Sequence, residues 1–341
     1  MAFENRPETG EDMPSLSTGP VQPGSHLSSG LRSIFAGQNG LRAGWRLLIF
    51  LALLSVPAAV LLVIARASGS GAKQVTNSPF AVGADEAIIF LILCVVTWVM
   101  AKIEHRRWSE YGLPLRQALR KDFWVGSLLG FLTISGTLLI MFLFHGFRVS
   151  GLALQGTAIL TALFGWSIAL LLVGLFEEFA FRGYVQYTLA SGMGFWPAAF
   201  LVSGVFGLTH FIADTNENVV GSVAVVMFGL LLCLFLRRTG NLWCAVGFHF
   251  AYDWGETFFY GVPNSGIVPY HNLFNSELSG PRWLTGGMVG PEAGILTPIA
   301  LLAVALVFSR YHRENRYQIL KPVSSPVTSR MASSLPQARP S

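Results

Sequence analysis

The sequence predicts an all-α, polytopic membrane protein of about eight transmembrane helices, and three observations carry that expectation. Charged residues make up only 12% of the 341 and hydrophobic types 52%, with a mean hydropathy of +0.53. Soluble domains carry about 25% charged residues, so this chain cannot clothe a water-exposed surface. Apolar runs near the ~20 residues needed to cross a ~30 Å hydrocarbon core recur along its length. Lys and Arg, finally, collect on alternate connecting segments, as they do on the cytoplasmic loops of membrane proteins.

The runs fall at 45–65, 83–101, 124–144, 157–190, 196–213, 219–236, 242–260 and 294–309. They are uninterrupted and lack the alternation of a barrel strand, so in lipid they satisfy their backbone hydrogen bonds as helices. The fourth is overlong for a single crossing. With the N-terminus in the cytoplasm, the inner segments hold 19 Lys and Arg residues and the outer segments only four, Arg66, Lys73, Arg148 and Arg282. Both termini are therefore expected inside. The net charge of +5 is a topology signal, which argues against nucleic acid as a partner. The lipid bilayer is the partner it implies.

This gives one membrane domain, 45–310, between a tail at 1–44 and a tail at 311–341, both rich in Pro, Gly and Ser and both expected to be disordered in the cytoplasm. The first run is read as a retained helix, since no small-residue cleavage site accompanies it. The basic segment 102–122, interleaved with Trp108, Tyr111, Leu113, Leu115 and Leu119, is expected to lie along the cytoplasmic interface. Cys94, Cys233 and Cys244 have no CxxC spacing and read as small buried hydrophobes. Between the last two helices, the Gly- and Pro-rich segment 261–293 reads either as a lid or as an ordinary outer loop.

Ionisable side chains inside apolar helices cost roughly 2.5–3.5 kcal/mol each on insertion scales and so point to function. They concentrate in the second half of the chain: Glu177, Glu178 and Arg182 in FEEFAFRGY, His210 at the end of FGLTH, and His249 and Asp253 in HFAYD. In the first three helices Asp85 and Glu86 read as acids tolerated at a helix entrance. Glu178 and Arg182 are four apart and share a helix face, which leaves Glu177 on another face as a candidate general base. Glu177 lies 14 residues before the Ser-Gly-Met-Gly turn and His210 14 residues after Trp196, so both sit at about the same depth. Counted from the inner edge, that depth leans toward a cytoplasmic opening. The alternative for the polar set is a network that only ties helices together. A proton-coupled transporter would show interrupted helices and ionisable groups in both halves, whereas this chain carries them in one.

At these residues the chain resembles the CPBP family of intramembrane proteases, which includes CAAX prenyl endopeptidases and the bacteriocin-processing, immunity-related Abi proteins. The family pattern EExxxR, FxxxH and HxxxN/D stands here as Glu177-Glu178-Phe-Ala-Phe-Arg182, Phe206-Gly-Leu-Thr-His210 and His249-Phe-Ala-Tyr-Asp253. The resemblance covers about 157–260 and places an active site between helices four and seven. It implies an endopeptidase acting on a membrane-associated, in some members prenylated, protein or peptide, here in a bacterial inner membrane. By the same resemblance Glu177 and His210 activate water, with Glu178, Arg182, His249 and Asp253 completing the catalytic set. Glu177, His210 and His249 would suit Zn as ligands, and a metal-free Glu and His mechanism uses the same residues. An ionised Asp253 cannot donate to an oxyanion as the family's Asn can. The competing reading is a non-catalytic immunity or partner protein that keeps the motifs for packing.

Overall fold

Helix boundaries in the computed structural model, which describes residues 36–37, 40–67, 78–213 and 218–320, follow from local capping chemistry. Ser78 accepts a hydrogen bond from the Ala81 amide, with Pro79 next in line, and starts helix α2 (Pro79–Ile103). Asn218 caps α6 (Val219–Thr239) by accepting from the amides of Val220 and Gly221, and Gly240 ends it in the left-handed region. The remaining apolar runs form α1 (Ala43–Ala67), α3 (Lys121–Leu143), α4 (Thr157–Met193), α5 (Phe195–Ala213), α7 (Trp243–Trp254, continued as a π-helical turn over Gly255–Tyr260) and α8 (Leu296–Tyr311). Six of these, α1 to α6, are long and apolar enough to cross a membrane. With α7 and the shorter α8 they account for all eight predicted runs. Of the tails expected at 1–44 and 311–341, residues 1–35, 38–39 and 321–341 lie outside the described residues.

Two kinds of contact hold the bundle. Large side chains such as Leu91, Leu128, Phe164, Phe200 and Leu306 are exposed on its outside, where lipid would meet them. Inside, α3 and α7 approach through glycine: a Cβ on Gly126 would stand 2.0 Å from the Cys244 carbonyl oxygen, and one on Gly130 would stand 2.2 Å from that of Phe248. This small-xxx-small contact lets two backbones touch where lipid supplies no hydrophobic drive. Helix α1 is peripheral, with 6% of its apolar window buried against 56% for α6, so α6 is central.

Three departures from expectation matter. An antiparallel ribbon, β1 (Phe147–Leu152) with β2 (Phe274–Leu278), ties the segment before α4 to the long 261–293 segment. Residues 312–320, expected to belong to a free tail, pack back on the bundle: the amides of Arg316 and Tyr317 donate to the Arg237 carbonyl, and the Tyr317 ring meets that of Tyr187 at a tilt and that of Phe195 edge-on. The segment 102–122 is anchored more firmly than an interfacial strip requires. Its Tyr111 and Leu113 are buried while Leu115 and Leu119 stay exposed. Tyr111 donates to Glu104, which also receives Arg46 and the Tyr184 hydroxyl. Cys233 and Cys244 are buried and all three cysteines are free, as small hydrophobes would be.

Candidate active site

The overlong α4 is where the site begins, and its length has a local cause. It runs as α-helix to Glu178, then as a π-helical stretch over Phe179–Val185 with a non-helical Gly183 (φ −79°, ψ −122°). A π-bulge inserts one residue into the turn and re-aims the side chains beside it, and such bulges gather at functional sites. Here it follows Glu177 and Glu178 and contains Arg182. Helix α7 does the same, changing to π-helix two residues after Asp253.

Four of the six sequence-predicted residues, Glu177, His210, His249 and Asp253, line one cavity of about 220 Å³. The other two stand behind it. Arg182 and Glu178 are both fully buried and pair at 3.2 Å, and the Glu178 carboxylate also receives the Nδ1–H of His249 at 2.9 Å. The opposite ring nitrogen of His249 faces Asp253 at 3.5 Å and Glu177 at 3.7 Å. His249 is thus the meeting point of three carboxylates from two helices. Room for the guanidinium comes from Gly229 of α6, where a Cβ would stand 2.6 Å from Arg182 Nη2.

His210 reaches the cavity from α5. Its Nδ1 lies 2.9 Å from the Phe206 carbonyl oxygen. A carbonyl can only accept, so Nδ1 carries the proton and Nε2 is left with a lone pair for the cavity. The Phe206 ring lies between the His210 ring, 4.5 Å away, and the Arg182 guanidinium, 4.4 Å away, in a cation–π contact. One aromatic residue therefore connects the buried ion pair to the second histidine.

Sequence reasoning missed part of the wall. Glu86, read as an acid at a helix entrance, lines the cavity together with Asn264, Ser265 and Glu292. The signal for Glu86 was available: it lies two turns into α2, and the helix dipole fades within the first turn. Its neighbour Asp85 is the exposed acid. The 261–293 segment contributes to the cavity directly, and the Ser265 amide donates to the Glu292 carboxylate, which pins that stretch in place. The cavity lies toward the bundle end that carries this segment and the β1–β2 ribbon, not toward the end with the basic loops as counting from the inner edge had indicated.

Among the described residues, no three His, Cys, Asp or Glu side chains form a group that could hold a metal ion. Glu177, His210 and His249 line the same cavity without forming such a group, and no step below is routed through a metal.

Residues 159–255 match the family described as type II CAAX prenyl endopeptidase Rce1-like. The matched stretch contains all six predicted residues and agrees with the resemblance read from their motifs. No curated protein matches the chain. The helices and this match together indicate an integral membrane protein and suggest an intramembrane endopeptidase, with the bilayer and a membrane-associated substrate as its partners.

Proposed function

We propose that the protein hydrolyses a peptide bond in a membrane-associated protein or peptide, prenylated proteins falling within that class, by means of a water activated between Glu177 and His210. The observation that carries this reading is the division of the polar residues into a cavity set and a buried bracing set. A network kept only for packing would have no reason to leave Glu177, His210 and Asp253 lining an open cavity between apolar helices. A carboxylate and an imidazole lone pair lining one cavity large enough to admit water and a peptide backbone are what hydrolysis needs.

In the proposed step, Glu177 takes a proton from the water while His210 Nε2 accepts its other hydrogen bond. The hydroxide oxygen adds to the scissile carbonyl, forming a C–O bond and a tetrahedral oxyanion. His249, held by Glu178 and Arg182, donates from Nε2 to that oxyanion. Glu177 then returns the proton to the leaving nitrogen as the C–N bond breaks. Glu178, Arg182 and Phe206 act as positioning residues. One well-placed donor to an oxyanion is worth about 10²–10³ in kcat. Asp253 orients His249 and leaves the donating to it.

The test is comparative membrane proteomics of wild type against Glu177→Ala and His210→Ala. Peptides released only by the wild type, with both variants inserted at normal levels, are the expected result. Retained processing in either variant would sink the assignment. Equal loss of thermal stability in both, with no substrate accumulating, would favour the packing-only alternative.

A further inference from the structure

We propose that the cavity is entered from the extracytoplasmic end of the bundle, and that its substrate is a polypeptide segment already exposed at that face of the membrane. The substrate half rests on the endopeptidase reading; the access half does not.

Position along the helices comes first. Val82 and Glu86 lie in the first turns of α2, His210 in the last turn of α5, Val225 in the first two turns of α6 and Thr297 in the first turn of α8. Those four helix ends are all at one end of an up-and-down bundle. The connecting segment at that same end, 261–293, supplies Asn264, Ser265 and Ile267 to the wall. Ile267 is 49% exposed, so the wall reaches the surface there.

The opposite end is closed. Below the Glu178–Arg182 pair, Phe179, Tyr184, Leu236, Trp243 and Val246 form a continuous core with Tyr111, none more than 5% exposed. A peptide arriving from that side would have to displace the buried ion pair as well as this core.

Charge then says which end is which. Among the described residues, the closed end carries Arg42 and Arg46, the 102–121 segment, the Arg237–Arg238 turn and the stretch from Arg310 to Arg316, which together hold 13 Lys and Arg residues. The open end holds three, Arg66, Arg148 and Arg282. Short loops obey the positive-inside rule, so the closed end is cytoplasmic. The 261–293 segment also exposes Val268, Tyr270, Trp283 and Met288, side chains that suit the headgroup level. The mouth therefore sits at the outer membrane–water boundary, within reach of a segment lying on or emerging from it.

The experiment is thiol labelling with a charged, membrane-impermeant maleimide, in intact cells and in inverted vesicles. Ser265→Cys probes the mouth, with Ile267→Cys as a second variant at the same place. Gln117→Cys, on the exposed basic segment, marks the other face, and wild type, whose cysteines are buried or half-buried, is the blank. Label on Ser265→Cys or Ile267→Cys in intact cells, with Gln117→Cys labelled only in inverted vesicles, is the expected result. The reverse pattern overturns the proposal whatever the enzyme does. The sidedness of the cut sites found with wild type but not Glu177→Ala supplies the second arm. Cuts on the cytoplasmic side of their substrates would overturn the substrate half while leaving the endopeptidase reading intact. Outside labelling with no cuts at all would uphold access and remove the endopeptidase.

Discussion

Replacing Arg182 with Met tests the bracing of the site more directly than any change in the cavity itself. Arg182 and Glu178 have no solvent exposure, and the pair closes at 3.2 Å. Met is apolar and flexible enough to occupy the space beside Gly229, so the perturbation is chiefly the loss of a charge. The partner left behind is a carboxylate without its cation in a low-dielectric interior. Breaking a buried pair in this way costs about 3–5 kcal/mol, most of it the stranded charge and not the attraction itself. Adding Glu178→Gln removes that charge and keeps an oxygen that can accept from His249 Nδ1, now 2.9 Å from Glu178. The double variant should therefore recover most of the loss, with a coupling of roughly 2–3 kcal/mol. Reversible unfolding in mixed detergent micelles measures both terms. Cleavage should follow the same order: kcat falls in Arg182→Met, is partly restored in the double variant, and KM moves little because neither residue lines the cavity. An Arg182→Met penalty under about 1 kcal/mol, the range of an exposed pair, would refute the reasoning.

Other expectations follow from single contacts. Gly130→Ala should destabilise by about 1–3 kcal/mol through overpacking against the Phe248 carbonyl and should lower turnover, since Phe248 precedes His249. Gly136→Ala, with nothing within 4 Å of the added Cβ, should stay within about 0.5 kcal/mol of wild type by the same unfolding assay. Tyr111→Phe removes a 2.9 Å hydrogen bond to the Glu104 carboxylate and should cost about 1.5–3 kcal/mol. Burial, then the charge of Glu104, raises the Tyr111 hydroxyl above its ordinary value. The contribution is therefore complete below about pH 10, where an unfolded tyrosine titrates, and is lost as pH rises beyond it. Stability curves of the wild type and the Phe variant should converge in that alkaline range. Asp253→Asn should keep cleavage within about tenfold of wild type, a change near 1.4 kcal/mol in the barrier, whereas Asp253→Leu should lose it.

Much of the bundle was readable because helix formation in lipid is a local matter. Each run of apolar residues satisfies its own backbone, so the spans at 79–103 and 219–239 contain the predicted windows 83–101 and 219–236 and extend them by no more than four residues at either end, to the caps Ser78, Asn218 and Gly240. Glu177, His210, His249 and Asp253 stood out for the same reason: an ionisable group in an apolar run is conspicuous without any partner in view. Glu86 did not, because its sequence neighbours make it look like an end-of-helix acid, and its place in the cavity comes from how α2 lies against α4. The GxxxG contact at Gly126 and Gly130 was present in the letters, and only the approach of α7 gives it meaning.

The linear chain by itself determined that this is a helical membrane protein with its basic segments on one side and six unusual polar residues in its second half, since charge, hydropathy and spacing act residue by residue. Tertiary structure decided which of the six face the cavity and which brace it. It also decided that the 261–293 segment forms part of the wall and that the wall opens at the end opposite the basic loops. Those outcomes depend on which helices touch and at what height, through contacts as close as Gly229 against Arg182 and Gly130 against Phe248, and such heights are set by packing between segments far apart in the chain.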